Sequence, residues 1–349
     1  MPVQRRSATL STRLTRRQAT RRLLGSGLAA LLGGAAASLL AACQAPASRP
    51  AATSAPGATG GAAATTANKP GTAGGTPTAA ANPLVKPRAS GADLTALVAS
   101  SELALGRNRF ALGLIDARNQ PVTDGSVRVE FFKVRPDGTA EKRAEAPAAF
   151  RSVGGASKGI WVSQVEFGEV GPWGAQVTLE RPNEPQSVRQ ARVNFEVRQK
   201  FSAPGYGDPA PRSVTPTERD AGGDVSHICS NNPPCVLHRM TIADALASGQ
   251  KPLVVVFATP ALCTSQICAP ELDAVLQLHQ TYADQANFIH VEIYQYPFDG
   301  QQEVKAVDEW RLPSEPWTFV VDRGGIVRDR FEGAAPPEEL EPALKAVLT

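Results

Sequence analysis

The chain has 349 residues, 42% of them hydrophobic, 6% aromatic and 20% charged, with 30 glycines and 29 prolines. Its formal charge of +3 sets 36 Lys and Arg against 33 Asp and Glu, and the basic excess sits at the extreme N-terminus, so no basic patch remains to hold a nucleic acid. No phosphate-binding loop, zinc-protease motif or serine elbow occurs, which removes the commonest hydrolase and nucleotide chemistries.

Residues 1–42 carry seven arginines and no acidic residue, and an apolar run rich in Leu, Ala and Gly leads to Cys43. That is the layout of an export signal ending in small residues at a cleavage point. The alternative is a permanent membrane anchor, disfavoured by the weakly apolar Gly and Ala content and by the lack of a basic stop-transfer cluster. Leu40-Ala41-Ala42-Cys43 resembles the lipobox of bacterial lipoproteins. The resemblance implies that Cys43 is lipidated, becomes residue one, and holds the chain at the extracytoplasmic face of the cell membrane. Thr20-Arg21-Arg22-Leu23-Leu24 resembles a twin-arginine signal, with Arg16-Arg17 as a second pair. Loss of residues 1–42 leaves 29 basic against 33 acidic side chains, a formal charge of −4. From Gln44 to Gly91 the chain is Ala, Thr, Pro and Gly, too poor in large apolar groups to offset the entropy of ordering, and reads as a disordered tether over 43–91.

Residues 92–199 change character. FALGLID (110–116), VRVEFFKV (127–134), GIWVSQVEF (159–167), WGAQVTLE (173–180) and ARVNFEVRQ (191–199) are short β-prone runs separated by turn residues such as Pro136-Asp137-Gly138. About seven strands in this length predict an all-β sandwich. The pattern resembles immunoglobulin-like domains of exported bacterial proteins, with Trp161 and Trp173 expected in its core. The segment holds no Cys or His, which leaves it a spacer or docking role.

Pro and Gly crowd residues 200–222 and mark a boundary, after which 223–349 reads as an α/β domain. TIADALASG (241–249) is a helix candidate, PLVVVF (252–257) a buried strand, and PELDAVLQLHQTYADQ (270–285) an amphipathic helix. NFIHVEIY (287–294) is a strand and VKAVDEW (304–310) a short helix. WTFVVD and GIVRDRFEG form a hairpin around Arg323-Gly324-Gly325, and EELEPALKAVL closes as a helix. This order resembles the thioredoxin fold from Thr241 to Leu348. The features that carry it are the Cys-bearing turn after the first strand, Pro316 before WTFVVD, and the terminal hairpin and helix.

With Cys43 set aside, four cysteines remain: Cys229, Cys235, Cys263 and Cys268. Proximity favours 229–235 and 263–268 among the three pairings. The thioredoxin resemblance implies that Cys263 is a nucleophile, Cys268 its resolving partner and Pro316 a proline beside the pair. A thiolate at a helix N-terminus is stabilised by unpaired N–H groups and the helix dipole, and a second thiol within reach completes an exchange cycle. The spacing departs from the family pattern, with four residues between the cysteines and Ala261-Leu262 where a Trp is usual. On an ideal helix five steps put the two side chains roughly 140° apart, so Cys263 has to lie outside the first turn. The helix therefore starts near Cys268, or near Ser265 with Pro270 still in its first turn.

CSNNPPC (229–235) reads as a loop closed by a structural disulfide, with a relay to the inner pair as the alternative. Peroxiredoxins and Sco-type copper chaperones also place cysteines at this turn, though with other spacings. His227, His238, His279 and His290 fix no ligand set by their spacing alone. The leading expectation is an exported, lipid-anchored thiol–disulfide oxidoreductase or redox relay, with no cofactor, acting on exported protein thiols or a membrane redox partner. The alternatives are a thioredoxin-like binding module with inert disulfides and a copper chaperone.

Overall fold

Apolar side chains recur at every second position along most strands of the first domain, so these strands offer one face to a core. The computed structural model describes residues 93–349, apart from 153, 156, 157, 183, 185–187, 301 and 334. The expected export signal, Cys43 and the tether over 43–91 lie outside the described residues. Seven strands come first: β1 (Leu94–Val98), β2 (Gly106–Asp116), β3 (Ser126–Val134), β4 (Ala140–Ser152), β5 (Gly159–Phe167), β6 (Gly171–Glu180) and β7 (Arg189–Val197). On β3 the buried Val127, Val129 and Phe131 alternate with residues turned outward.

All neighbours pair antiparallel, in the order β1-β2-β5-β4-β3-β6-β7. The long β4 accounts for the bend in this sheet, because its first part, to Ala148, pairs with β3 and its end, from Ala149 to Ser152, pairs with β5. Beyond β1, Ala104 bridges Arg198 in parallel, with the Leu105 amide donating to the Arg198 carbonyl at 3.0 Å. The two ends of the sheet thus meet, and the domain is an all-β, nearly closed barrel. Phe110, Phe131 and Phe167 pack edge to face inside it, with centroids 5.0 and 5.6 Å apart. Trp161 and Trp173 are buried there too, their indole N–H groups donating to the carbonyls of Val122 and Glu169. Burial of a Trp needs such a partner.

The second domain contains α1 (Ile242–Ser248), β8 (Leu253–Ala258), α2 (Cys268–Tyr282), β9 (Asn287–Glu292), α3 (Lys305–Trp310), β10 (Trp317–Val321), β11 (Val327–Glu332) and α4 (Pro337–Leu348). These are the elements, in the order, that the thioredoxin resemblance implies. The sheet runs β11-β10-β8-β9, with β8 parallel to β9 and the other pairs antiparallel. All six residues of β8 are buried, as its central place and unbroken apolar sequence require. Val254, Val256 and Val320 pack against α2 and α4 on one face, while Leu253, Val255 and Phe257 meet α1 and α3 on the other. Thr241 caps α1 by accepting from the Asp244 amide, and Gly249 ends it in the left-handed region.

Residues 200–222, expected as a boundary, lie against the second domain. Ala203, Ala210, Ser213 and Thr215 are buried, and Gly207, Asp208 and Ala210 pair along the outer edge of β11. Two buried ion pairs join the domains. Arg109 on β2 grips both oxygens of Glu339 on α4 at 2.8 and 2.9 Å, and Arg330 on β11 meets Glu102 at 2.6 Å while lying over Phe201 and Trp317. Removing one member of such a pair leaves a buried charge and costs about 3–5 kcal/mol. These two pairs tie the barrel to β11 and α4.

Candidate functional site

The two expected cysteine pairs occupy different settings. Cys263 lies in the turn that leaves β8, its amide donating to the Thr259 carbonyl, and Cys268 is the first residue of α2. Of the two helix starts that the sequence allows, the later one holds. Gln266, at φ +57°, turns the chain between them through the left-handed region. That turn takes Cys263 off the helix and brings the two Cα atoms to 6.0 Å, and the pair is joined as a disulfide. Cys263 is half-buried and Cys268 fully buried. No side chain caps α2, and Cys268 stands at its first position, where uncapped N–H groups and the helix dipole favour a thiolate.

Pro316 stands before β10 with a cis peptide bond from Glu315. The Glu315 carboxylate lies 3.7 Å from the Cys268 sulfur. Burial pushes Glu315 up to about 7, the charge of Glu292 adds to this, and the Thr259 amide opposes it. A carboxyl of that affinity beside Cys268 can take up or return a proton when the disulfide opens. The barrel approaches the same turn: Gly154, at φ +70°, lies so near Pro270 that a Cβ there would meet the proline ring at 3.1 Å.

The outer pair differs from the expected staple. Cys229 and Cys235 are separate, buried thiols. The reason lies in what surrounds them. The Cys235 sulfur is 3.3 Å from His238 Nε2 and 3.4 Å from His290 Nδ1, and the Cys229 sulfur is 3.6 Å from the same His290 nitrogen. The two ring nitrogens are 3.2 Å apart. All four ligand-type atoms lie within 4.8 Å of one another.

Those lengths have a chemical reading. A tetrahedral ion with metal–nitrogen bonds near 2.05 Å and metal–sulfur bonds near 2.3 Å requires ligand–ligand edges of about 3.3–3.8 Å. The four contacts measured here, 3.2–3.6 Å, are close to those edges. The outer ring atoms agree. His290 Nε2 lies 3.0 Å from the Ala258 carbonyl, which only accepts, so Nε2 carries the proton and Nδ1 turns its lone pair to the sulfurs. The electrostatics favour a thiolate. A hydrogen bond from Cys235 is the main cause that holds Cys229 far below the usual thiol range, and the same contact pushes Cys235 up. Burial drives His238 down, whereas for His290 burial is outweighed by the Cys229 thiolate and the pKa rises.

Tertiary pairing brings the four together. The His290 amide donates to the Leu237 carbonyl, so the 229–238 loop runs beside β9, the edge strand of the sheet. The Ser230 amide donates to Glu292 at 2.7 Å, and the Ala261 amide donates to the Ser230 hydroxyl at 3.2 Å, tying this loop to the turn that holds Cys263. His227 and His279 lie elsewhere: His227 is exposed on a short 3-10 turn, Val225–His227, and His279 packs its ring against Phe288. Sequence reasoning missed the tetrad and Glu315. Cys235 and His238, three apart, were a faint signal, but nothing in the spacing points to His290.

Residues 239–348 match the sequence model of the family described as a thioredoxin-like domain. Of the tetrad only His290 falls inside that stretch, because Cys229, Cys235 and His238 precede it. A solved structure of a putative thiol:disulfide interchange protein DsbE from Chlorobium tepidum is 16% identical, covering 42% of this chain and 100% of that one, with a TM-score of 0.31. A thiol:disulfide interchange protein of the thioredoxin family from Chlorobium tepidum TLS is 17% identical over 42% and 100%, at 0.30. A thio-disulfide isomerase from Thermus thermophilus is 22% identical over 41% and 96%, at 0.27. No curated protein matches the chain.

Proposed function

We propose that this chain is an exported, membrane-anchored thioredoxin-like module that binds a transition-metal ion at Cys229, Cys235, His238 and His290. The observation that carries the reading is a cluster of four buried ligand atoms, two sulfurs and two imidazole nitrogens, all within 4.8 Å of one another, with four of their separations at 3.2–3.6 Å. Thiolate and imidazole donors in this geometry suit Zn(II) and Cu(I). The ion also gives two buried thiols a stable state in an oxidising compartment, where unligated pairs tend to become disulfides.

The address rests on the N-terminal sequence, with Cys43 as the lipidated first residue at the extracytoplasmic face of the membrane. Intact-mass analysis of the membrane fraction tests it: a mature chain starting at acylated Cys43 is the expected result, and an unprocessed Met1 terminus refutes it. For the barrel, the order β1-β2-β5-β4 followed by β3-β6-β7 matches the ABED and CFG strands of an immunoglobulin-type sandwich, which supports that finer reading.

A second reading, thiol–disulfide exchange with exported protein thiols or a membrane redox partner, is favoured at Cys263 and Cys268 by their place at the uncapped start of α2. Metal analysis separates the two. Protein purified anaerobically is expected to hold one ion per chain, and Co(II) substitution to give the intense near-ultraviolet bands of thiolate ligation. Both features should vanish in Cys235→Ser and persist in Cys263→Ser/Cys268→Ser. An ion-free tetrad that also rejects Zn(II), Cu(I) and Co(II) would leave only the exchange reading.

A further inference from the structure

The tetrad is closed on one side and open on the other. Its sulfurs lie in the apolar core among Leu237, Val256 and α2, where no ion can pass. Its imidazoles, His238 and His290, form the inner wall of a cavity of about 400 Å³. The rim of that cavity is exposed and includes Val214, 81% exposed, His227 and Tyr296, the last two in ring contact at 4.4 Å. A permanent structural ion is normally enclosed by its ligands and their packing. Here the half of the site that holds the nitrogen ligands adjoins solvent-connected space.

One group in the cavity wall has a structural partner for only half of its carboxylate. Glu292 is two residues beyond His290 on β9, on the same face of the strand, and is 4% exposed. Its Oε2 accepts from the Ser230 amide, while its Oε1 is buried without a hydrogen-bond partner. A buried, unpartnered carboxylate oxygen is costly and calls for a ligand. Glu292 sits beside the tetrad, and His227 stands at the mouth with an exposed ring.

We infer that this cavity is the route by which the ion is loaded and released, with Glu292 and His227 as transient ligands along it. The inference rests on the metal reading of the tetrad and makes the site an exchange site rather than a fixed staple. An ion leaving the tetrad gives up its imidazoles one at a time, and each vacated position is taken by a carboxylate or imidazole further out. Incoming ions follow the same steps in reverse. Such way-stations lower the barrier without altering the end states, so they speed loading and release by the same factor.

That symmetry supplies the test. The full chain, prepared anaerobically, is mixed with Zn(II) to follow loading, and the Zn(II)-loaded chain is challenged with a chelating dye to follow release. Glu292→Gln, which keeps the acceptor for Ser230, should slow both processes about tenfold, and His227→Ala several-fold, with the dissociation constant held within about twofold. Val214→Trp, a surface change that narrows the rim, should slow both as well. Unchanged rates in all three variants would overturn the route while leaving Zn(II) binding intact. A weakened affinity with release alone accelerated would make Glu292 an equilibrium ligand and overturn its transient role. A wild-type chain that binds no Zn(II), Cu(I) or Co(II) would overturn the metal reading itself, and the route with it.

Discussion

Two cysteine pairs of nearly equal spacing, six positions for Cys229 and Cys235 and five for Cys263 and Cys268, end in opposite chemical states. The inner pair is held by backbone: a strand end, a left-handed turn and a helix start set the two Cα atoms 6.0 Å apart, and the sulfurs meet Ser265 and Glu315. The outer pair is held by side chains, in a loop with almost no regular structure, and its sulfurs face two histidines as well as each other. Spacing along the chain decides what can meet. What does meet is decided by the partners that the fold delivers.

The strongest way to break the comparison is to remove one ligand of the outer set. If an ion organises the 229–238 loop, its binding energy is folding energy, and structural zinc sites supply apparent values of about 10–16 kcal/mol to small domains. This domain has its own core, so only the loop and the β9 edge depend on the ion. We expect His290→Gln, or chelation of the wild type, to lower the thermal midpoint by more than 10 °C, for a loss of roughly 3–5 kcal/mol. Calorimetry with and without Zn(II) checks it. Equal midpoints would show that the loop is held without an ion.

A smaller effect sharpens the other side of the comparison, because the inner pair stands on a platform with a titratable support. Glu271, in the first turn of α2, accepts from the Thr318 hydroxyl at 2.6 Å and from the Ala335 amide at 2.7 Å. Burial is the main cause that pushes it up to about 8, against those hydrogen bonds and Arg109, with Glu339 adding to the rise. A carboxyl whose pKa rises on folding binds its proton more tightly in the folded state. Its stabilising contribution is complete below about 4.5 and is lost as pH climbs through about 8, a change of up to about 5 kcal/mol. Glu271→Gln keeps the shape and has no proton to lose. Urea midpoints should show the variant close to wild type at pH 5 and clearly more stable at pH 8.5. Parallel pH curves for the two proteins would refute the assignment.

The elements of the second domain were legible because each follows from local chemistry: the unbroken apolar run of β8, the stripe along α2, the Gly-Gly turn between β10 and β11. In the first domain β4 was not. Its sequence, AEKRAEAPAAFRS, is charged and alanine-rich, and it is a strand because β3 and β5 each offer it an edge. The tetrad was hidden for a related reason. The His238 and His290 rings are 52 residues apart in sequence and meet through one backbone pairing between a loop and an edge strand, which no periodicity reports. Residues 200–222 looked like a linker from their prolines and glycines, yet those same residues suit a segment that follows the edge of β11 without regular structure.

The smallest effect concerns the inner bond itself. Closing a loop of about six residues removes little entropy from the unfolded chain, about 2 kcal/mol by the chain-entropy relation. Reduction with dithiothreitol, or the Cys263→Ser/Cys268→Ser double variant, should therefore lower the urea midpoint by that modest amount. It should leave Zn(II) binding at the outer set unchanged, since none of the four ligands is lost. A single Cys268→Ser change leaves Cys263 half-buried at the open start of α2, where its thiolate can attack a partner disulfide but has no neighbour to release it. Mass spectrometry of that variant should find a mixed disulfide on Cys263 if the pair exchanges with other proteins. If Cys263 stays unmodified and the disulfide of the wild type resists reduction in the folded state, the inner pair is a staple, and of the two pairs only the outer one has chemistry to perform.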